Sequence, residues 1–149
     1  MTTNNLKFID KFREVKNLEI IENKSDVKRL SKDFYNYSPI LTKKLDECIA
    51  DLVVRPSDHK AVKEVAEICW EFSIPLTLRG SGTGNYGQAV PLFQGVVMQM
   101  NQFNKLEAFD PETGFVKVQS GCVMGDLNKQ LEKYGSCLLY TSPSPRDRG

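Results

Sequence analysis

Histidine occurs once in these 149 residues, at His59, and the four cysteines are scattered. Cys48, Cys69, Cys122 and Cys137 form no C-x-x-C pair. Zinc is held by clustered Cys and His ligands at short spacings, which this chain lacks, so no metal site is expected. The thiols are expected to stay reduced. No apolar run approaches the ~20 residues that span a bilayer, so no membrane segment is expected. The opening Met1-Thr2-Thr3-Asn4-Asn5 lacks the apolar stretch of a signal peptide, which points to a cytoplasmic location. The formal net charge of +1 lacks the basic excess that draws a protein to nucleic acid or an anionic membrane surface. What remains is a globular composition, 40% hydrophobic and 26% charged, long enough for one domain with its own core.

Glycine is concentrated in one place. Residues 79–87 read Arg79-Gly80-Ser81-Gly82-Thr83-Gly84-Asn85-Tyr86-Gly87, four glycines in nine, directly after the apolar run Ile74-Pro75-Leu76-Thr77-Leu78. Few side chains then stand between the backbone N–H groups and an approaching ligand. Such a concavity suits an anion, most often a phosphate. A tight turn alone rarely needs so many glycines. Ser81, Thr83 and Asn85 can add side-chain hydrogen bonds. Position leaves two readings of Arg79 open: a fork on a phosphate, or an ion pair with a carboxylate behind the loop. Gln88 reads as a ligand contact or as a solvated loop residue.

Gly82-Thr83-Gly84-Asn85-Tyr86-Gly87 also matches G-x-G-x-x-G, the nicotinamide dinucleotide fingerprint. That motif counts only where a strand precedes it and a helix opens from it. The strand is there. Pro91 and Gly95 break any following helix, and the next apolar run, Val96-Val97-Met98-Gln99-Met100, begins soon afterwards. A helical crossover between parallel strands needs about a dozen residues or more, so the dinucleotide fold is not expected.

Along the chain, Phe8, Ile9, Phe12 and Val15 fit helical spacing, and residues 6–22 mix apolar and charged positions. Ser25 is a plausible cap for a short helix at 26–30. Phe34–Pro39 reads as an aromatic loop ended by proline, its rings expected to pack. Leu52-Val53-Val54 is a short strand, and Ser57 is placed to cap the helix after it. Ala61, Val62, Val65, Ala66, Ile68, Cys69 and Phe72 trace one helical face over 59–73, with Trp70 packing at its edge. Strands are expected near 76–78, 95–100, 105–109 and 114–119, with a hairpin turn at Asp110–Gly114. A helix at 123–134 follows Gly121. This order is α+β rather than simple βαβ alternation.

Val53-Val54-Arg55-Pro56, the helical segment, Ile74–Gly84, Gly95-Val96-Val97-Met98 and Phe115–Leu127 occur in the order and spacing of a known family. They resemble the PCMH-type FAD-binding domain of the FAD-linked oxidase superfamily, which includes the glycolate oxidases and D-lactate dehydrogenases. The resemblance covers residues 50–136. It implies an α+β fold, here an incomplete N-terminal portion of the domain, preceded by a helical and loop extension at 1–49. It implies FAD as the cofactor, its pyrophosphate wrapped by the loop Gly80, Ser81, Gly82, Thr83, Gly84 and Asn85, with Arg79 and Gln88 as further candidate cofactor contacts. Gly121 would let the cofactor approach, or serve as a plain strand-to-helix turn. Relatives that attach flavin covalently through this loop carry a histidine where Thr83 stands, so non-covalent FAD is expected. A valine at Gly82 would intrude on the pyrophosphate. The activity implied is an FAD-dependent oxidoreductase, with a 2-hydroxy acid or similar small substrate held by a C-terminal domain beyond this stretch. No catalytic residue is assigned.

Residues 137–147, Cys-Leu-Leu-Tyr-Thr-Ser-Pro-Ser-Pro-Arg-Asp, read codon by codon as a translated sequencing adapter. Residues 137–149 are therefore expected to be a non-native tail on a fragment, packing on nothing. Two other readings stay open: an incomplete, non-enzymatic fragment without cofactor, and a flavoenzyme like UDP-N-acetylenolpyruvoylglucosamine reductase.

Overall fold

A computed structural model describes residues 4–138. Its centre is a sheet of four short strands. These are β1 (Leu18–Ile21), β2 (Leu52–Pro56), β3 (Leu76–Arg79) and β4 (Val96–Gln99), in the order β1-β2-β4-β3. β2, β4 and β3 run parallel, and β1 pairs antiparallel with β2. Parallel strands are covered on both faces and read as continuous apolar runs. β4 obeys this rule, being buried along its whole length.

Residue parity sorts the two faces. Leu52, Val54, Val96 and Met98 meet Phe12 of α1 (Asn4–Glu14) and Val65 and Cys69 of α4 (His59–Glu71). Val53 and Val97 face the other way, onto Val27 and Leu30 of α2 (Lys24–Leu30) and Ala50. A β5-β6 hairpin (Leu106–Asp110 and Phe115–Val118) turns at 110–114, as expected, with Asp110 accepting from Glu112 N and Thr113 Oγ1. α5 (Met124–Leu131) ends in a 3₁₀ turn, and its Leu127 and Leu131 are buried.

Several local expectations change. β1 lies at the end of the 6–22 stretch, where the sequence reading named no strand. Four residues are too few for either period to show, and pairing with β2 decides. α4 is capped by Asp58, whose carboxylate accepts from Ala61 N at 2.7 Å, while Ser57 Oγ turns to Asn17 O. α2 is capped by Asn23 rather than Ser25. The aromatic loop is a 3₁₀ turn (Tyr35–Tyr37), and Pro39 opens a further helix, α3 (Pro39–Leu45), instead of ending the segment. Proline suits a first helical turn because its missing N–H is not needed there. Tyr35 is buried, but Tyr37 is 79% exposed, and Trp70 is 86% exposed rather than packed. Of the expected tail, Cys137 and Leu138 are described, and Leu138 N donates to Asn128 Oδ1 at 2.9 Å. Tyr140 and the rest lie outside the described residues.

Burial pushes the Cys69 thiol up to about 11. A thiolate is the reacting species, so Cys69 is expected to resist alkylation in the native state at mildly alkaline pH. Exposed Cys137 should react at once. Mass spectrometry after a short iodoacetamide pulse checks this, with urea-unfolded chain as the reference in which Cys69 reacts.

Candidate functional site

In open sheets with parallel strands, ligands bind outside the carboxyl ends of the strands. The glycine loop leaves β3 at that edge. β3 and β4 lie side by side and parallel, yet residues 80–95 join them without a helix. The return leg packs on the N-terminal segment instead: Val90 clusters with Tyr35 and Leu45. The route closes where Val96 N donates to Pro75 O at 2.8 Å. So the fingerprint's strand is present and its helix is not, as the sequence indicated.

The loop's N–H groups are unusual. Among the described residues, the amides of Gly80, Ser81, Gly82, Thr83, Gly84 and Asn85 make no hydrogen bond within the chain. The side chains of Ser81, Thr83 and Asn85 are likewise without a partner in the chain and exposed. Gly82 takes φ +69°, the left-handed region that favours glycine. A run of donors this long, left to solvent, is the donor set an anion needs.

Beneath the loop lies a charge. Strand parity sends Leu78 outward, 61% exposed, and Arg79 inward, 8% exposed. Arg79 Nη1 donates to Lys32 O at 2.6 Å. A Cβ on Gly82 would overlap the Arg79 guanidinium, lying 2.6 Å from Nη1 and nearer still to Nη2. Burial lowers the Arg79 pKa and the nearby Asp33 carboxylate opposes that shift. Arginine titrates so far above neutrality that the guanidinium stays charged. Arg79 thus lies behind the loop, but its bond goes to a backbone carbonyl and it forms no ion pair with a carboxylate.

Other parts of the expected site bond within the chain. Gln88 Oε1 accepts from Tyr86 N at 3.0 Å, so this side chain braces the loop. Gly84 O accepts from Phe34 N at 2.8 Å. Gly121 is buried and its N–H is spent on Phe103 O at 2.7 Å. A Cβ there would overlap Met100 O and lie 2.8 Å from Met100 C. Gly121 thus lets two backbone segments touch, and its neighbour Ser120 O lies 3.7 Å from a Cβ built on Gly80. His59 is apart from the loop, its ring 5.1 Å from that of Phe103.

Nothing in the sequence tied Lys32, Asp33 or Phe34 to the loop. Lys32 meets Arg79 across a separation of 47 residues, and no spacing rule reaches that far. Lys32 also bonds Asp46, which raises the lysine pKa and lowers that of the carboxylate. No group of three or more metal-ligating side chains occurs among the described residues, nor a helix long and apolar enough to cross a membrane.

Comparison with known proteins agrees with this geometry. The family described as FAD binding domain matches residues 50–145, more than half of the chain. A D-lactate dehydrogenase of Anaerostipes hadrus is 36% identical over 98 residues, covering 66% of this chain and 20% of that protein. The mitochondrial D-2-hydroxyglutarate dehydrogenase of Danio rerio is 30% identical over 84 residues, covering 56% of this chain and 16% of that protein. The chain thus spans about a fifth of the length of the curated relatives it matches. The solved structure of p-cresol methylhydroxylase superimposes with a TM-score of 0.75 at 18% identity, covering 99% of this chain and 28% of that one, which establishes the fold. Sequence match, fold and donor-lined loop together place the chain in the FAD binding domain family of FAD-linked oxidases, with the PCMH-type α+β fold and FAD as its cofactor.

Proposed function

We propose that the loop Gly80–Asn85 holds the FAD pyrophosphate in a flavin-dependent oxidoreductase of 2-hydroxy acids. The observation that carries this reading is the run of amides without partners at the carboxyl end of β3. Fixed N–H dipoles offset the desolvation of a dianion at no reorganisation cost. Ser81, Thr83 and Asn85 add donors on the exposed side. Arg79 supplies positive charge through the loop instead of by contact, and Gln88 and Gly121 act as supports. When bound, FAD would supply the redox chemistry as a hydride acceptor. The residues here bind and orient it. The substrate class is supported by relatives named for D-lactate and D-2-hydroxyglutarate. The substrate pocket is assigned to sequence beyond this stretch.

Thr83 has no side chain able to link to flavin, so the cofactor is held without a covalent bond. Titrating FAD into the purified chain should quench flavin fluorescence to saturation, and acid precipitation should then leave all flavin in the supernatant. Flavin retained in the pellet would refute non-covalent attachment. Absence of any saturable quench would remove the loop from the site.

A further inference from the structure

The loop is held from below by residues outside the matched span 50–145. Lys32 O accepts from Arg79 Nη1 and Phe34 N donates to Gly84 O. Asp33 lies between them in sequence. Its Oδ1 accepts from Tyr35 N at 3.0 Å, and its Oδ2 lies 3.2 Å from a Cβ built on Gly84. Asp33 and Arg79 are each only 8% exposed. Asp33 Oδ2 and Arg79 Nε are both buried without a hydrogen bond. The two side chains make no ion pair or hydrogen bond with each other, so the Asp33 charge acts on the guanidinium through space, across a dry interior that screens it little. The guanidinium in turn fills the space under Gly82.

We infer that Asp33 is a positioning residue for the cofactor loop: its charge, next to the Lys32 carbonyl that Arg79 bonds, favours the guanidinium's place under Gly82, and Arg79 keeps the amides of Gly80–Asn85 facing the pyrophosphate. The N-terminal segment is then part of the cofactor site. This rests on the reading of the loop given above. Charge alone acts the other way, because a carboxylate near a phosphate repels it. Positioning prevails because the two opposite charges sum to zero beneath the loop, whereas a buried guanidinium with no carboxylate nearby leaves its pocket and removes the support under Gly82.

The test is calorimetric titration of FAD, and of ADP as a pyrophosphate without flavin, into the wild-type chain, Asp33→Asn, Arg79→Met and the double variant. Asp33→Asn should weaken both ligands about tenfold, and the double variant should bind no more weakly than Arg79→Met alone. The double variant should also melt above either single variant, since it strands no charge. Unchanged or tighter binding by Asp33→Asn, or additive losses in the double variant, would overturn the inference. Should Asp33→Asn not fold, wild-type affinity in the double variant would overturn it equally. Failure of the wild type to bind either ligand would instead sink the reading of the loop itself, and this inference with it.

Discussion

Gly121→Ala is expected to lower the thermal midpoint by about 10 °C. The added Cβ meets backbone: it overlaps Met100 O, and Asn101 Cα lies 2.9 Å away. A flexible side chain could swing aside. Met100 cannot, because its N–H is bonded to Arg79 O at 2.8 Å and its C=O accepts from Phe103 N. Relief requires moving the 119–122 segment off the end of β4, which breaks the Gly121 N–H bond to Phe103 O. Overpacking of this kind costs about 3 kcal/mol, and each kcal/mol lowers the midpoint of a chain this size by roughly 3 °C. Differential scanning calorimetry reads it. An unchanged midpoint would show that the 119–122 segment does not lie against Met100.

The loop was legible because its signal is local. Four glycines in nine residues alter the backbone wherever the rest of the chain goes, and the apolar run before them marks the strand. Central strands were legible for a similar reason: Val96-Val97-Met98 is apolar at every position because both faces are covered. β1 was not, since Leu18–Ile21 is a strand only through Glu19↔Arg55 and its neighbouring pairs. The Arg55–Gln99 contact at 2.7 Å shows the same limit, because its partners lie 44 residues apart.

Caps failed by one or two residues, at Asp58 for Ser57 and Asn23 for Ser25. Each true cap has an equally good oxygen beside it, and the choice turned on where the preceding chain entered. Asn17 settles one case by taking Ser57 Oγ on its carbonyl and donating to Asp58 Oδ2. The direction of Arg79 depended on strand register, which fixes which alternate residues face α2. The sequence reading offered Arg79 a carboxylate to pair with, whereas the fold gives it the Lys32 carbonyl, with Asp33 near but not bonded.

Gly82→Val is expected to weaken FAD binding about a thousandfold. The physical route differs from the one the sequence implied. The new side chain points inward onto the guanidinium of Arg79, not outward at the pyrophosphate. Valine also resists φ +69°, so the backbone relaxes away from the left-handed region. Either change turns the amides of Gly82 and its neighbours off target. Losing two charge-assisted N–H bonds, at about 2 kcal/mol each, gives the thousandfold figure. Stability falls too, because an expelled Arg79 leaves Asp33 buried and uncompensated. Gly80→Ala separates the causes. Its Cβ makes only an ordinary contact with Ser120 O, so the fold should be unaffected. Any loss of FAD affinity in that variant reports direct approach of the ligand to the loop. Fluorescence titration of both variants, with circular dichroism as the folding control, decides the matter. Wild-type affinity in a folded Gly82→Val chain would remove this loop from the cofactor site.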